Sequence, residues 1–202
     1  MVITLWLSAA STNCSLAHQR VARIEVRKRL FLKRPTASLS TMPSLVAPTA
    51  RVRDSYIRGE REDAADEGLE DDWLEDAAAD FDGFVERRRT VRQLWGVPIT
   101  ELWFVADDTY LGTLLIRHHL TQELADAGGH FGYHVVPSHR RQGHATAMIA
   151  QARTIAKELG LPPRLLITCR SDNVASRRAI EANGGTFTGL VDGECHFVLA
   201  SA

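Results

Sequence analysis

The most constraining feature of the sequence is a short basic loop that joins a strand pattern to a helix pattern between His130 and Ala145. Residues 130–136 have the alternation of a strand, and Pro137 ends it because proline cannot donate to a sheet ladder. A helix is predicted from Ala145 to Leu159. The free amides and positive dipole at such a helix N-terminus favour an anion such as a pyrophosphate.

The loop has the residue types that a phosphate site needs. Gly143 lets the backbone approach a phosphate without a Cβ in the way, and Ala145 keeps that approach narrow. Arg140 and Arg141 add positive charge. An ordinary surface loop with two solvated arginines would show the same short pattern, so the loop alone does not establish function.

The rest of the sequence predicts an α/β domain in which a mixed sheet is flanked by helices. The predicted strands are 101–106, 110–118, 130–136, 165–169, 186–190 and 195–199, of which 165–169 is apolar throughout, as in a buried parallel strand. The predicted helices are 54–65, 69–94, 145–159 and one that begins at Asp172 or Asn173 and ends near Ala182.

Composition limits the class of protein. A net charge of -1 gives no support for a nucleic-acid or membrane partner. The widely spaced Cys14, Cys169 and Cys195 favour free thiols in a reducing compartment, hence the cytoplasm, over disulfides or a metal site. We therefore expect a soluble domain that needs no metal.

The first 41 residues differ from the rest in being basic and rich in Ser and Thr, with Glu25 as their one acidic residue. A transit peptide has this composition. A secretory signal does not fit, because no basic segment precedes the first apolar run. We favour a third interpretation, in which Met42 is the true start, residues 1–41 are a disordered or wrongly included leader, and residues 42–202 form the domain.

Two segments together resemble the GNAT acetyltransferase superfamily. Residues 140–145, Arg-Arg-Gln-Gly-His-Ala, are similar to its Gln/Arg-x-x-Gly-x-Gly/Ala signature and follow a strand ending in Val-Val-Pro. Residues 173–185, which begin Asn-Val-Ala-Ser and end in Gly-Gly, resemble its second block. The likeness extends from about Met42 to the C-terminus. It is greatest for the bacterial branch with Arg-His-x-Leu (117–120) and Gly-Gly-His-x-Gly-Tyr (128–133) segments.

This resemblance implies the GNAT-like acyl-CoA N-acyltransferase fold and direct transfer of an acetyl group from acetyl-CoA to a primary amine. It implies that the backbone of Val135 and Val136 pairs with the pantetheine arm. Asn173 would bond to the pantetheine region, although an ordinary N-cap explains its position as well. The expected pyrophosphate site consists of Arg140, Arg141, Gln142, Gly143, His144 and Ala145.

The resemblance also suggests catalytic residues. His130 stands where many members carry the general base, and an imidazole can serve as one near neutral pH. A hydrogen bond from His130 to nearby backbone is the alternative, and Glu123 is a second candidate base. Ile180 occupies the position of the family's usual tyrosine acid. Either Tyr133 or water would then protonate the leaving thiolate, or the thiolate would leave unassisted.

The acceptor side remains open. The two helices before residue 95 are strongly acidic, and acids that faced the cleft would attract a cationic amine. We favour the alternative, in which these acids form a solvated helix face. The acceptor is a small-molecule or peptide amine, and the chain could form a homodimer. Because Ile180 replaces the usual acid, a catalytically decayed acyl-CoA-binding module is the alternative function.

Overall fold

Residues 42–202, the part of the chain that the computed structural model describes, contain eight strands, six α-helices and two short 3-10 helices. The predictions about residues 1–41 lie outside these residues. The elements are β1 (Ser44–Val46), α1 (Arg53–Glu67), α2 (Trp73–Ala79), α3 (Phe81–Arg89), β2 (Arg92–Leu94), β3 (Val97–Ala106), β4 (Thr109–Arg117), α4 (Gln122–Asp126), β5 (Phe131–Val135), α5 (His144–Glu158), β6 (Arg164–Arg170), α6 (Val174–Ala182), β7 (Thr186–Val191) and β8 (Glu194–Ala200).

The strands form two sheets. Sheet A has the order β1-β3-β4-β5, with β2 also paired to β3, and sheet B has the order β6-β8-β7. The predicted α/β class is confirmed, but every ladder in the described residues is antiparallel. The prediction of a parallel partner for 165–169 was wrong. Its continuous apolar run reflects burial on both faces, which an antiparallel strand can also have.

Helix α5 packs on one face of sheet A through its small and apolar residues. Met148, Ile149, Ala152 and Ala156 are fully buried and recur at the spacing of one helical face. They join a core that includes Phe104 of β3 and residues of sheet B. The predicted helix 145–159 is therefore confirmed to within one residue at each end. None of the helices in residues 42–202 is long and apolar enough to cross a membrane.

An aromatic cluster packs α1, α2 and α3 against the other face of sheet A. The Tyr56 ring stacks on Trp103 with 4.4 Å between centroids and also meets Tyr110 at 4.8 Å. Gly59 brings α1 close to the sheet, since a Cβ there would lie 2.8 Å from Cγ1 of Val136. This close approach places the inner face of α1 beside the end of β5.

The predicted single helix 69–94 was wrong. Asp80 leaves the helical conformation (φ -134°, ψ 69°) and its side chain accepts the amide of Gly83 at 3.0 Å, which ends α2 and caps α3. The last three residues, Arg92–Leu94, form a strand on β3. The apolar spacing continues through both helices and therefore concealed the break. A second omission is the short helix α4 within the predicted connector 120–129.

Candidate coenzyme site and active site

The N-terminus of α5 carries no capping side chain. Its N-cap residue is Gly143, with φ 81°, and nothing lies within 4 Å of the place where a Cβ would stand. Arg141 also has a positive φ, 65°, which bends the loop just before the helix. The first-turn amides of α5 therefore face open space and are available to an anion.

Of the remaining residues of the loop, some are exposed to solvent and others pack against the core. Arg141 and Gln142 are exposed. His144 is half-buried and its ring meets that of Phe104 edge-on at 5.7 Å, while Ala145 packs against the core. The backbone of these consecutive residues forms the turn that leads into α5.

Strand β5 presents an open edge beside this loop. In the ladder with β4, Arg117 donates its amide to His130 O at 2.8 Å and Val136 donates its amide to Leu111 O at 3.0 Å. Bonded and non-bonded pairs alternate in an antiparallel ladder, so the backbone groups of residues 131, 133 and 135 point away from β4. Since β5 is the last strand of sheet A in residues 42–202, these groups line its free edge.

Val135 and Val136, the two residues predicted to pair with pantetheine, differ in the direction of their backbone groups. Val135 has its backbone groups on the open edge, and its carbonyl already accepts a bond from Arg140 Nε at 3.0 Å. The amide of Val136 points back to β4, and its carbonyl accepts the amide of His139 at 2.9 Å. The backbone of Tyr133 also lies on the open edge. The sequence had suggested Tyr133 only as a proton donor through its side chain.

The Arg140 side chain turns toward helix α1. Its Nη1 lies 2.6 Å from Asp66 and its Nη2 lies 2.8 Å from Asp63. The Arg140 guanidinium therefore forms its ion pairs with helix α1 and not with the loop that follows Arg140. The sequence predicted that the positive charge of Arg140 would attract a phosphate. It gave no signal that Arg140 would pair with two acids more than seventy positions away.

The two sheets meet where β5 begins. The amide of His130 donates to Leu166 O at 2.7 Å, and this is the one backbone bond between this strand and β6 in residues 42–202. The amide of Gly128 also reaches across, to Oγ1 of Thr168 at 2.8 Å. Past this junction no ladder in residues 42–202 joins β5 to β6, and we refer to this break in the pairing as the gap between β5 and β6.

The ring of His130 also touches Leu166. Nδ1 lies 3.0 Å from the Leu166 amide, which would donate to it, and 3.3 Å from the Leu166 carbonyl, which would accept from it. Either tautomer makes a hydrogen bond to the backbone, as the alternative role of His130 requires, and the second also leaves Nε2 as a proton acceptor. Burial lowers the pKa of His130, with a smaller contribution from the charge of Arg117, so the ring is neutral at neutral pH.

Tyr133 reaches helix α6 through its hydroxyl group. Its Oη lies 2.7 Å from Oγ of Ser176, and burial raises its pKa above the ordinary value. Burial also raises the pKa of the neighbouring Cys169 thiol to about 11, although Ser176 bonds to it. Three protonated groups from β5, β6 and α6 thus gather beside the gap between the sheets.

The other predicted site residues have local partners. Glu123 is exposed on the first turn of α4, and hydrogen bonds to its own amide and to Thr121 lower its pKa. Asn173 is the N-cap of α6 and accepts the amide of Ser176 at 3.0 Å. Ile180 is fully buried in α6. The N-cap alternative for Asn173 is therefore present, and a coenzyme contact from its amide group is compatible with it.

A largely buried charged pair lies under the end of β5. Nε2 of His134 donates to Oε1 of Glu60 at 2.9 Å, and the hydroxyl of Tyr110 donates to the same oxygen. Burial disfavours the imidazolium, but the charge and hydrogen bond of Glu60 raise the pKa of His134 to about 9. No sequence signal identified Glu60 as the partner of His134.

Several of the acidic side chains before residue 95 hold the helices together. Arg61 of α1 pairs with Asp71 and Glu75 at 2.9 and 3.3 Å, and Asp80 caps α3. These contacts support the structural interpretation for these particular acids.

Comparison with known proteins identifies the family. A profile described as an acetyltransferase (GNAT) domain matches residues 29–186. Among proteins of curated function no match is found.

Solved structures share the fold at low sequence identity. The microcin C7 self-immunity acetyltransferase MccE, solved with acetyl-CoA and AMP, is 13% identical, with a TM-score of 0.53 over 78% of this chain and 92% of its own. RimL, a ribosomal L7/L12 alpha-N-protein acetyltransferase solved with coenzyme A, is 17% identical, with a TM-score of 0.53 over 81% and 96%. RimJ of Mycobacterium smegmatis, solved with a CoA disulfide, is 20% identical, with a TM-score of 0.52 over 79% and 86%. The predicted fold and family are confirmed, and the chain belongs to the acetyltransferase (GNAT) domain family.

Proposed function

We propose that this chain transfers an acetyl group from acetyl-CoA directly to a primary amine. The observation that carries the proposal is the uncapped N-terminus of α5 next to the open edge of β5. A ligand in which an amide-containing arm extends from a pyrophosphate would satisfy both at once. MccE and RimL, which have the same fold, were solved with acetyl-CoA and coenzyme A respectively, and this supports the choice of ligand.

The coenzyme would follow the edge of β5 toward the junction of the sheets. Backbone amides from Arg141 to Ala145 would hold the pyrophosphate, and the outward-facing groups of Tyr133 and Val135 would pair with the pantetheine arm. Asn173 at the start of α6 would contact the other side of that arm. The thioester then lies in the gap between β5 and β6, near the hydroxyl of Tyr133.

The reaction needs one proton removed and one proton supplied. The amine lone pair attacks the thioester carbon, the C–S bond breaks, and the electron pair leaves on sulfur. We assign to Tyr133 the proton that goes to sulfur, because its hydroxyl is protonated at neutral pH and lies beside Ser176 at the gap between the sheets. We assign the amine proton to Nε2 of His130, in the tautomer whose Nδ1 donates to Leu166 O. Glu123 remains the second candidate base.

The acceptor is a small-molecule or peptide amine. RimL is described as an alpha-N-protein acetyltransferase, which supports a peptide N-terminus as one member of this class. The free, buried thiols of Cys169 and Cys195 are in keeping with action in a reducing cytoplasm.

The first test is calorimetric titration of acetyl-CoA into the full-length chain and into Gly143→Asp. A carboxylate at Gly143 would occupy and repel the anion site, so binding should weaken at least tenfold. Gly160→Asp is the matched control, since Gly160 ends the same helix with φ 77° and also has nothing within 4 Å. Equal losses in both variants, or no binding by the folded wild-type chain, would remove the proposal.

Turnover separates the enzyme from the alternative of a decayed acyl-CoA-binding module. Thiol release from acetyl-CoA is followed in the presence of a panel of small amines and short peptides. Amine-dependent release above the hydrolysis background supports the transferase. Tight binding without release across the whole panel would favour the module, which the buried Ile180 in place of a tyrosine motivates.

A further inference from the structure

One side chain connects helix α1 to both parts of the proposed coenzyme site. Arg140 bonds to Val135 O on the open edge of β5, to Asp66 and to Asp63, with distances of 3.0, 2.6 and 2.8 Å. Its backbone begins the loop that leads to the N-terminus of α5. The position of this guanidinium therefore sets the relation between the strand edge and the loop.

The geometry of the guanidinium explains why two acids are needed. Nε is used by Val135 O, and each terminal nitrogen has its own carboxylate, so the planar group is fixed in direction as well as in place. The Asp63 side chain is only 16% exposed, whereas that of Asp66 is 47% exposed. Such a fixed group leaves the Arg140 side chain poorly placed to neutralise a phosphate.

We propose that Asp63 and Asp66 are positioning residues for the coenzyme, acting through Arg140. They hold the arginine against β5 and so keep the loop from Arg141 to Gly143 in the shape that exposes the amides of α5. The inference rests on the proposed function, because it concerns the same coenzyme site. It assigns to helix α1 a part in coenzyme binding that the signature residues alone do not show.

A purely electrostatic role for these acids predicts the opposite result. Carboxylates near a pyrophosphate repel it, so neutralising them would strengthen coenzyme binding if their charge were all that mattered. It would also free Arg140 to meet a phosphate. If the acids position Arg140, neutralising them loosens the loop and weakens binding. The sign of the change therefore decides between the two roles.

The experiment compares Asp63→Asn/Asp66→Asn with Asp71→Asn/Glu75→Gln by calorimetric titration of acetyl-CoA into the full-length chain. Both variants remove two negative charges from ion pairs with an arginine, but the second pair holds Arg61. We expect the dissociation constant to rise about three- to tenfold in the first variant and to change less than twofold in the second. With an amine substrate, KM for acetyl-CoA should rise in the same proportion while kcat stays within twofold.

The outcomes are distinct. Unchanged or tighter binding by Asp63→Asn/Asp66→Asn, with normal binding by the wild-type chain, overturns this inference and leaves the proposed function intact. Absence of binding by the folded wild-type chain overturns the proposed function itself. If the double variant does not fold, judged by its circular dichroism and melting temperature, Asp66→Asn alone is measured, with the same expected direction.

Discussion

Gly132 has no side chain where the guanidinium of Arg117 needs the space: a Cβ on Gly132 would lie 3.1 Å from Nη2 of Arg117. The same guanidinium donates to Gly128 O at 3.0 Å and to Gly129 O at 2.9 Å, and the ring of Trp95 lies 5.0 Å away. The Arg-His-x-Leu and Gly-Gly-His-x-Gly-Tyr segments therefore pack against each other as one unit, in which the arginine of the first binds the glycines of the second. That unit sets the start of β5, where His130 and the junction of the sheets lie.

Gly132→Ala should destabilise the chain by about 1–3 kcal/mol, because the added methyl group presses on a buried guanidinium that two carbonyl groups hold in place. The cost should fall in an Arg117→Met background, where the conflicting nitrogen is gone. Urea denaturation of the wild type, both single variants and the double variant gives the coupling energy. Additive changes would mean that the two residues do not compete for space.

His130→Asn should lower kcat by about 10²-fold with little change in the dissociation constant of acetyl-CoA, as expected for loss of a general base. Asparagine keeps a polar atom near the position of Nδ1, so the contact with Leu166 can be retained. Because the pKa of His130 is below its ordinary value, the wild-type rate should rise with pH through that lower pKa and then level off. The variant should lose this rise.

His118→Asn serves as the control for the previous prediction. His118 is a neighbouring half-buried histidine whose Nε2 lies 2.8 Å from Oγ1 of Thr100. Its replacement should leave the pH profile unchanged. If His130→Asn turns over at the wild-type rate, the ring has only its backbone role and another group removes the amine proton.

Tyr133→Phe should slow amine-dependent thiol release about tenfold, a modest loss for a general acid because a thiol pKa near ~8.5 makes the thiolate a tolerable leaving group. The change removes only the hydroxyl, so packing of the ring is kept and coenzyme binding should stay within twofold. Ser176→Ala should act in the same direction but less, since it removes only the partner of that hydroxyl. A thiol release rate equal to that of the wild type in Tyr133→Phe would contradict the assignment.

The Glu60–His134 pair should make stability depend on pH. The pKa of His134 is about 9 in the folded chain against an ordinary 6.5, so the folded state holds the proton more tightly. The resulting stabilisation is complete below pH 6.5 and is lost as pH rises through 9, an effect on the order of 1–3 kcal/mol. The free energy of unfolding in urea, measured from pH 6 to pH 10, tests this.

Glu60→Gln should abolish most of that pH dependence, because the neutral amide no longer favours the imidazolium. Glu75→Gln, which removes an exposed carboxylate of an ion pair with Arg61, should leave the slope as it is. At the acid end the pKa of Glu60 is lowered, its burial outweighed by His134, so its contribution is lost only as pH falls through that lowered value. The same slope in Glu60→Gln and the wild type would show that His134 is not stabilised by this carboxylate.

The sequence predicted the parts of the fold that depend on local signals. Gly143 and the alternation of residues 130–136 placed the loop, the helix and the strand correctly, because turn geometry and apolar spacing act over a few residues. The break at Asp80 was missed because the apolar spacing continues across it.

For the candidate site too, only the features that depend on local structure could be predicted from the sequence. The backbone groups that line it follow from local structure, whereas the partners of its charged groups come from helix α1, far away in sequence. Neither Asp63 beside Arg140 nor Glu60 beside His134 could be inferred without the packing of α1 that Gly59 permits. Ion pairs of this kind depend on tertiary structure, for which a single sequence carries no direct signal.

The free edge of β5 also bears on how the protein should be handled. A row of unpaired backbone groups is the surface on which strands of other molecules add, and proteins usually cover or interrupt it. Here Arg140 covers one carbonyl, and a bound coenzyme would cover much of what remains. Preparations kept with coenzyme A should therefore stay monodisperse at concentrations and times at which the ligand-free chain aggregates. The coenzyme would then act as a solubility factor as well as a substrate.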